Sequence, residues 1–401
     1  MSAKYNFDEV IDRRGTASSR WDARPEDVLN LDYPVGEVLP LWVADMDFRA
    51  PDEVIEAVEA VVKRGVFGYG IVTDSCLDAV ADWEEQRHGW RPKKEWMLLA
   101  PGAVPALHML VRALTGGSGA KKGVVIQRPV YYPFTSAIEG NGAVVVNNPL
   151  KLTGQRYEMD FDDLKGKLKD AALFVLCSPH NPVGRVWSRS DLETLGEMCA
   201  AANTPVFADE LHCDLVSPEH KHLPFALLGE SFLMNSVTVI APSKTFNLAG
   251  LQATVVIIPN DSLRRRFANV LYAQNALMKP NIIGVAAMEA AFRWGGEWFD
   301  EAWKYIRANY DFLVKYLADK LPEVKVFPLE GTYLAWLDFR ALESDPDRLR
   351  RRMLTEAKVW LDDGFIFGSE GAGFERIVLA TPRATLEEAL CRITASFGVP
   401  C

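Results

Sequence analysis

The residues best suited to chemistry are a serine and a lysine that follow a strand-like run, Val237–Ile240. Consecutive β-branched and aliphatic residues of this kind predict a buried strand of a parallel sheet. Lys244 would stand at the mouth of that strand, with Phe246 and Leu248 after it. Desolvation lowers the pKa of a lysine, and the neutral amine that results is nucleophilic and can form an imine. A lysine that simply extends its amine into solvent would fit this segment equally well.

The elements around this lysine are predicted by alternating patterns. Between about residues 96 and 259, strand-like runs alternate with helical patterns. Such alternation predicts an α/β fold with a mostly parallel sheet between helices. Ligands bind at the carboxyl ends of the strands in such sheets. We therefore expect a site formed by the residues that follow the strands: Gly102, Ala103, Val104, Tyr131, Asn181, Asp209, Ser243 and Lys244.

These residue types predict a pyridoxal phosphate site. Lys244 would hold the cofactor aldehyde covalently and, once displaced, would act as the base for the substrate Cα proton. Asp209 would keep the pyridine nitrogen protonated and so make the ring an electron sink. Asn181 would donate a hydrogen bond to the ring oxygen, and Tyr131 would stack on the ring. The phosphate would bind to the first amides of a predicted helix and to a hydroxyl, from Gly102, Ala103, Val104 and Ser243.

Each residue also has a purely structural interpretation. Asp209 could cap a helix or form an ion pair, Asn181 before a proline is typical of a turn, and Tyr131 could be a core or interface residue. Gly102 could simply begin a helix. The coincidence of five such residues at strand ends favours the cofactor site.

Length, composition and charge exclude several other classes of protein. The chain has 401 residues, 49% of them hydrophobic and 24% charged, and no apolar run approaches the roughly 18 residues needed to cross a bilayer. A formal charge of −10, with 348–352 as the nearest thing to a basic cluster, argues against a nucleic-acid partner. The cysteines lack the spacing of a zinc site, so no metal is expected. The charged amino terminus does not resemble a signal peptide, so we expect a cytoplasmic protein.

A second, smaller domain is predicted from the carboxyl-terminal third. Helical patterns after about Pro280 are followed by strand-like runs, which indicates an α+β unit that the amino-terminal segment joins. The predicted bounds are 1–50 for that segment, 51–285 for the large cofactor-binding domain and 286–401 for the small domain. Capping boxes predict the starts of two helices, formed by Ser190 with Glu193 and by Thr385 with Glu388.

Several longer motifs give the chain a family resemblance over nearly its whole length. They are WVADMDF, FGYG, PVYYPF, SPHNPVGRVW, ADELHCDLV, APSKTFNLAGL, EGTYLAWLDFRAL and GFERIVLATPR. The chain resembles the fold type I pyridoxal-phosphate enzymes of the aminotransferase class I/II family. Within that family it is similar to the carbon–sulfur β-lyases, typified by cystathionine β-lyase and cystalysin. The resemblance implies the aminotransferase fold type I.

The resemblance assigns the same roles to Lys244, Asp209, Asn181 and Tyr131 and adds four residues. Tyr69 matches a tyrosine that reaches the phosphate of the neighbouring subunit, which implies a homodimer. Arg376 matches the arginine that binds the substrate α-carboxylate, although a surface salt bridge is the alternative. Tyr132 is implied as a substrate-binding residue and His212 as a cofactor-binding one.

Three positions depart from the pattern of common relatives. His212 stands where most aminotransferases have tyrosine, as it does in the lyase branch. Gln252 replaces a phosphate-binding arginine, which makes the phosphate site less positive. Val378 replaces a polar residue, and no reason for this is evident.

The function that the resemblance implies is α,β-elimination from a small sulfur amino acid. The products would be pyruvate, ammonia and a thiol, with cystathionine, cysteine and cystine as candidate substrates in cysteine and methionine metabolism. An aminotransferase would share the same residues and is the alternative. A third hypothesis is a non-catalytic regulatory protein that retains the fold.

Overall fold

A computed structural model gives the fold of residues 4–400. Its β-strands are β1 (Leu39–Pro40), β2 (Met97–Ala100), β3 (Gly123–Ile126), β4 (Val144–Asn147), β5 (Lys151–Thr153), β6 (Arg156–Glu158), β7 (Ala171–Cys177), β8 (Val206–Asp209), β9 (Ser236–Ile240), β10 (Thr254–Ile257), β11 (Lys325–Val326), β12 (Leu334–Asp338), β13 (Val359–Trp360), β14 (Asp362–Asp363) and β15 (Phe374–Val378).

The α-helices are α1 (Pro25–Val28), α2 (Asp52–Arg64), α3 (Asp74–His88), α4 (Ala103–Thr115), α5 (Pro133–Glu139), α6 (Phe161–Lys167), α7 (Arg189–Ala201), α8 (Glu230–Met234), α9 (Pro242–Thr245), α10 (Asp261–Ala268), α11 (Ile282–Trp294), α12 (Gly296–Lys320), α13 (Pro346–Arg351) and α14 (Arg383–Ser396). Two π-helical turns, Asn269–Gln274 and Arg352–Ala357, continue α10 and α13. No helix among residues 4–400 is both long and apolar enough to cross a membrane.

The chain divides into two compact units. The first contains Met1–Arg49, Pro182–Gly184 and Asp300–Cys401, and the second contains Ala50–Asn181 and Arg185–Phe299. A compact unit need not be a domain that folds alone. The domain bounds predicted from the sequence therefore remain a prediction.

The second unit is built on a seven-stranded sheet. Its strand order is β2-β10-β9-β8-β7-β3-β4. The strands from β9 to β4 pair in parallel, and β10 alone among the seven runs antiparallel to both of its neighbours. Helix α4 packs on the sheet through Leu107 and Leu110, in one buried cluster with Val124 and Phe207. The prediction of an α/β fold with a mostly parallel sheet is confirmed.

The first unit contains a four-stranded antiparallel sheet of order β11-β12-β15-β14. The 25-residue helix α12 belongs to the same unit from Asp300 onward, and α14 lies wholly within it. Strand β1, from the amino-terminal segment, pairs in parallel with β13 from the carboxyl-terminal part. The amino-terminal segment is therefore hydrogen-bonded to the carboxyl-terminal part within this unit.

Two helix starts differ from the prediction. Helix α7 is capped by Ser188, which forms a capping box with Asp191, so the box predicted at Ser190 lies two residues too late. Helix α14 begins at Arg383, directly after Pro382, and has no side-chain cap. The predicted box at Thr385 is therefore wrong, because the helix begins two residues earlier and Thr385 lies inside its first turn.

Candidate active site

The predicted site residues of the second unit meet at one edge of its sheet. Strands β9, β8, β7 and β3 are consecutive neighbours, and their carboxyl ends point the same way. Lys244 lies on the short helix α9 after β9, and Asp209 is the last residue of β8. Asn181 follows β7, and Tyr131 follows β3. The sheet order therefore arranges these four residues in sequence along the edge.

Asp209 is a buried acid that faces the charge of Lys244. Its side chain accepts a hydrogen bond from the Leu211 amide at 3.3 Å. Burial raises the pKa of Asp209 to about 6, and the Leu211 amide and the Lys244 ammonium only partly oppose this shift. A buried carboxyl group of this kind is suited to bind a cationic N–H group, because the positive charge would favour the ionised form of the acid.

Backbone hydrogen bonds fix the loops that carry the other residues. The Tyr131 amide donates to the Asn181 carbonyl at 3.1 Å, and the Ser178 amide donates to the Asp209 carbonyl at 3.0 Å. The Tyr131 ring is half-buried and lies edge-on to Phe134, with 5.6 Å between ring centroids. The neighbouring Tyr132 is exposed. The loops after β3 and β7 are thus joined to each other, and the loop after β7 is joined to the end of β8.

The predicted phosphate-binding residues lie at two helix starts. Gly102 is the N-cap of α4, and the structure gives this helix no side-chain cap, so Ala103 and Val104 present first-turn amides. Amides at a helix start bind anions. Ser243 is half-buried on α9, next to Lys244.

Two further predicted residues of this unit lie in connections between its elements. His212 is buried in the turn after β8. Tyr69 lies in the coil between α2 and α3 and is 93% exposed. A cavity of about 610 Å³ is lined by Tyr69, Pro101 and Gln252. The structure therefore places Tyr69 near the start of α4 but leaves most of its ring uncovered by its own chain.

Arg376 belongs to the first unit, on strand β15. Its guanidinium forms an ion pair with Asp362 and donates to the Trp42 carbonyl at 2.8 Å. The residue is 2% exposed, so the salt bridge is buried and not on the surface, and the substrate-binding role of Arg376 stays a prediction. Burial raises the pKa of Asp362 to about 6, against the opposing charge of Arg376. No sequence pattern indicated Asp362, which stands opposite Arg376 in the β14–β15 pairing.

A hydrogen-bonded network next to Lys244 was also missed. Asp214 accepts hydrogen bonds from the Thr245 hydroxyl at 2.6 Å and from the Trp83 indole at 3.1 Å. It also bonds His88 Nε2 at 2.9 Å. Because Thr245 directly follows Lys244, this network holds the end of α9 in place.

Comparison with known proteins gives the family. The profile of "Aminotransferase class I and II" matches residues 37–393, and the chain belongs to that family. The chain is 44% identical to cystathionine beta-lyase PatB of Bacillus subtilis, over 98% of this chain and 100% of that protein. These findings confirm the family resemblance.

Solved structures agree with the fold. Cystalysin from Treponema denticola, which contains a pyridoxal 5'-phosphate cofactor, matches with a TM-score of 0.91 and 35% identity over 98% of this chain and 99% of that one. A PLP-bound putative aminotransferase from Clostridium difficile matches with a TM-score of 0.93 and 37% identity over the same shares. The prediction of aminotransferase fold type I is confirmed.

Proposed function

We propose that this chain is a pyridoxal-phosphate-dependent carbon–sulfur β-lyase. It cleaves L-cystathionine or an L-cysteine-type substrate by α,β-elimination to pyruvate, ammonia and a thiol. The observation that carries the proposal is the buried Asp209 carboxylate, which interacts electrostatically with Lys244 at the end of the neighbouring strand. The chain that contains this pair is 44% identical to a cystathionine beta-lyase.

Pyridoxal 5'-phosphate is the cofactor, and the residues present fit it. A pyridinium N–H would supply the cation that the buried Asp209 carboxylate needs, and the uncapped start of α4 suits a phosphate. When bound, the cofactor withdraws electrons from the substrate Cα and so makes its proton removable.

The chain's own residues bind the cofactor and move the proton. Lys244 would hold the cofactor and, once displaced by the substrate, would take the proton from the substrate Cα. Asp209 would keep the ring nitrogen protonated, Asn181 would donate to the ring oxygen, and Tyr131 would stack on the ring. The phosphate is bound by Gly102, Ala103, Val104 and Ser243, and His212 belongs to the same cofactor site.

Substrate binding falls to Arg376 and Tyr132. The guanidinium of Arg376 offers several N–H groups in a fork that matches a carboxylate. Its bonds to Asp362 and to the Trp42 carbonyl fix the plane of the guanidinium, which would then bind the α-carboxylate. Tyr132, exposed beside Tyr131, would border the substrate.

The active form is proposed to be a homodimer. A contiguous segment before α3 exposes apolar side chains, each between 62% and 93% exposed: Val66, Phe67, Tyr69 and Ile71. Met278, which lines the same cavity as Phe67 and Tyr69, is 63% exposed. Exposed apolar patches of this kind mark interfaces, and Tyr69 would reach the phosphate of the partner chain. A cytoplasmic location stays a prediction from the amino-terminal sequence.

The alternative is an aminotransferase. One observation supports it, which is the likeness to the C. difficile structure described as a putative aminotransferase. The two functions share Lys244 and differ in the fate of the electrons at Cα. In elimination a thiolate leaves Cβ, whereas in amino transfer Cβ is unchanged and the amino group passes to a keto acid.

Assay of the purified holoenzyme with L-cystathionine separates these functions. We expect pyruvate and thiol to form in equal amounts without any keto acid, and Lys244→Ala to abolish both. Lys165→Ala, which changes an exposed lysine on α6, serves as the control. Turnover that required 2-oxoglutarate and released no thiol would establish the aminotransferase. A yellow protein inert to a panel of sulfur amino acids would favour the regulatory hypothesis.

A further inference from the structure

A cluster of buried donors in the second unit has no part in the proposed reaction. Glu84 and His88 are four residues apart on α3, so their side chains share one helix face. Cys213 comes from the turn after β8. One carboxylate oxygen, one imidazole nitrogen and the thiol sulfur of these residues lie within 4.8 Å of one another.

The cluster contains an unsatisfied polar atom. Glu84 is 1% exposed, and its Oε2 has no hydrogen-bond partner among residues 4–400. A buried carboxyl oxygen without a partner is costly, and it requires an explanation such as a bound ion.

The surroundings of His88 resemble the outer layer of a metal site. Asp214 bonds His88 Nε2 at 2.9 Å and is itself held by Trp83 and Thr245. Metal-binding histidines almost always have such a carboxylate or carbonyl partner on the second ring nitrogen. This partner fixes the orientation of the ring before an ion arrives.

Space for an ion and a solvent ligand lies beside the cluster. A cavity of about 180 Å³ is lined by His88, Cys213, Asp214 and His222, among other residues. A water molecule from this cavity could complete the coordination that three protein ligands leave open.

We propose that Glu84, His88 and Cys213 form a binding site for a divalent transition-metal ion of the zinc class. Oxygen, nitrogen and sulfur ligands together suit Zn²⁺, whereas a thiolate disfavours Mg²⁺ and Ca²⁺. Ligand distances of about 2.0–2.3 Å would require the donors to close by about 1 Å, which is within the reach of small side-chain rotations. The ion replaces protons that the ligands release to solvent.

The site would be structural rather than catalytic. It would tie α3 to the turn after β8 and, through Asp214 and Thr245, to the helix that carries Lys244. Spacing along the chain could not reveal it, because Cys213 is distant in sequence from Glu84 and His88.

Zinc binding to the holoenzyme tests this proposal. The protein is dialysed against a chelator and titrated with Zn²⁺, and bound metal is measured by elemental analysis. We expect one equivalent per chain, a rise in the melting temperature and, with Co²⁺, the intense visible bands of a tetrahedral thiolate site. Glu84→Gln and Cys213→Ser should each weaken binding by roughly 100-fold or more, since even loss of an outer partner costs about 10–100-fold.

Matched variants provide the controls. Cys199 is a free, buried thiol outside the cluster, and Glu85 is the exposed neighbour of Glu84. Cys199→Ser and Glu85→Gln should bind zinc like the parent protein. Absence of bound zinc in the parent protein would overturn the proposal, as would binding that the cluster variants leave unchanged. Metal content is measured independently of turnover, so these outcomes are distinct from failure of the lyase assay.

Discussion

At the residue scale, the grouping of the site residues was predictable from their positions at the carboxyl ends of strands. Asp209 ends a strand, Lys244, Asn181 and Tyr131 each follow one, and parallel strands bring such positions to one edge. The partner of Arg376 could not be predicted, because Asp362 lies opposite it only through the register of β14 with β15. The bond from Asp214 to Thr245 is likewise a tertiary contact without a local pattern.

Asp209 should make the cofactor-free protein less stable as the pH rises. Its pKa is about 6 in the folded chain, above the ordinary 3.8, because burial disfavours the carboxylate. The native state therefore binds more protons than the unfolded state between these values, and the free energy of unfolding falls as the pH rises from about 4 to about 6. Asp209→Asn removes this dependence, so we expect the variant to gain roughly 2–3 kcal/mol on the parent protein across the window.

Urea unfolding of both cofactor-free proteins at several pH values measures this gain. Asp162→Asn, at an exposed position on α6, should show no such trend. A constant difference between Asp209→Asn and the parent would contradict the shifted pKa. In the holoenzyme, the same substitution should lower kcat by roughly 10²–10³-fold, the size expected for loss of one electrostatic partner.

At the element scale, the types of the elements were predictable and their exact starts were not. The alternation of strands and helices predicted the sheet of the second unit, because period and composition depend on local burial. The start of α7 was misplaced because two overlapping serine–acid pairs, Ser188 with Asp191 and Ser190 with Glu193, fit the same capping pattern. Only the three-dimensional path selects between them.

The junction between α11 and α12 should be sensitive to a single methyl group. A Cβ at Gly295 would lie 2.5 Å from Phe246 Cε1 and 2.7 Å from the Ala291 carbonyl oxygen. Phe246 is fully buried among aromatic rings, including Trp83 at 5.2 Å, and stands two residues after Lys244. Gly295→Ala should therefore cost about 1–3 kcal/mol of unfolding free energy, as is typical of overpacking.

Gly166 offers the matched control for this substitution. It lies within α6, and a Cβ there would meet no atom within 4 Å. Gly166→Ala should stabilise the protein by up to about 1 kcal/mol, because alanine favours the helix. Equal effects of the two substitutions in urea unfolding would show that the junction is not tightly packed.

At the scale of the whole molecule, the exposure of Tyr69 supports the proposed homodimer. A chain that leaves Tyr69 93% exposed beside other apolar side chains is suited to a partner surface. In a symmetric dimer, the same patch on each chain would serve the site of the other. The family resemblance predicted this arrangement, whereas composition and periodicity alone did not.

Complementation between two inactive variants tests the shared site. Tyr69→Ala and Lys244→Ala should each be strongly impaired alone. When the two are unfolded, mixed and refolded together, half of the dimers pair unlike chains, and one of their two sites has both residues intact. We expect recovery of about a quarter of the parent activity. Failure to recover activity, in a mixture shown by mass spectrometry to contain unlike pairs, would contradict a shared site.

The central claim is that Lys244 is the residue to which the cofactor is covalently bound. Reduction of the holoenzyme with borohydride would make that bond permanent, and peptide mass spectrometry would then locate the attached group. The account predicts a single modified peptide, with the pyridoxyl group on Lys244 and loss of the yellow colour on reduction. Modification of a different lysine, or an unmodified Lys244 in a protein that still turns over substrate, would contradict it.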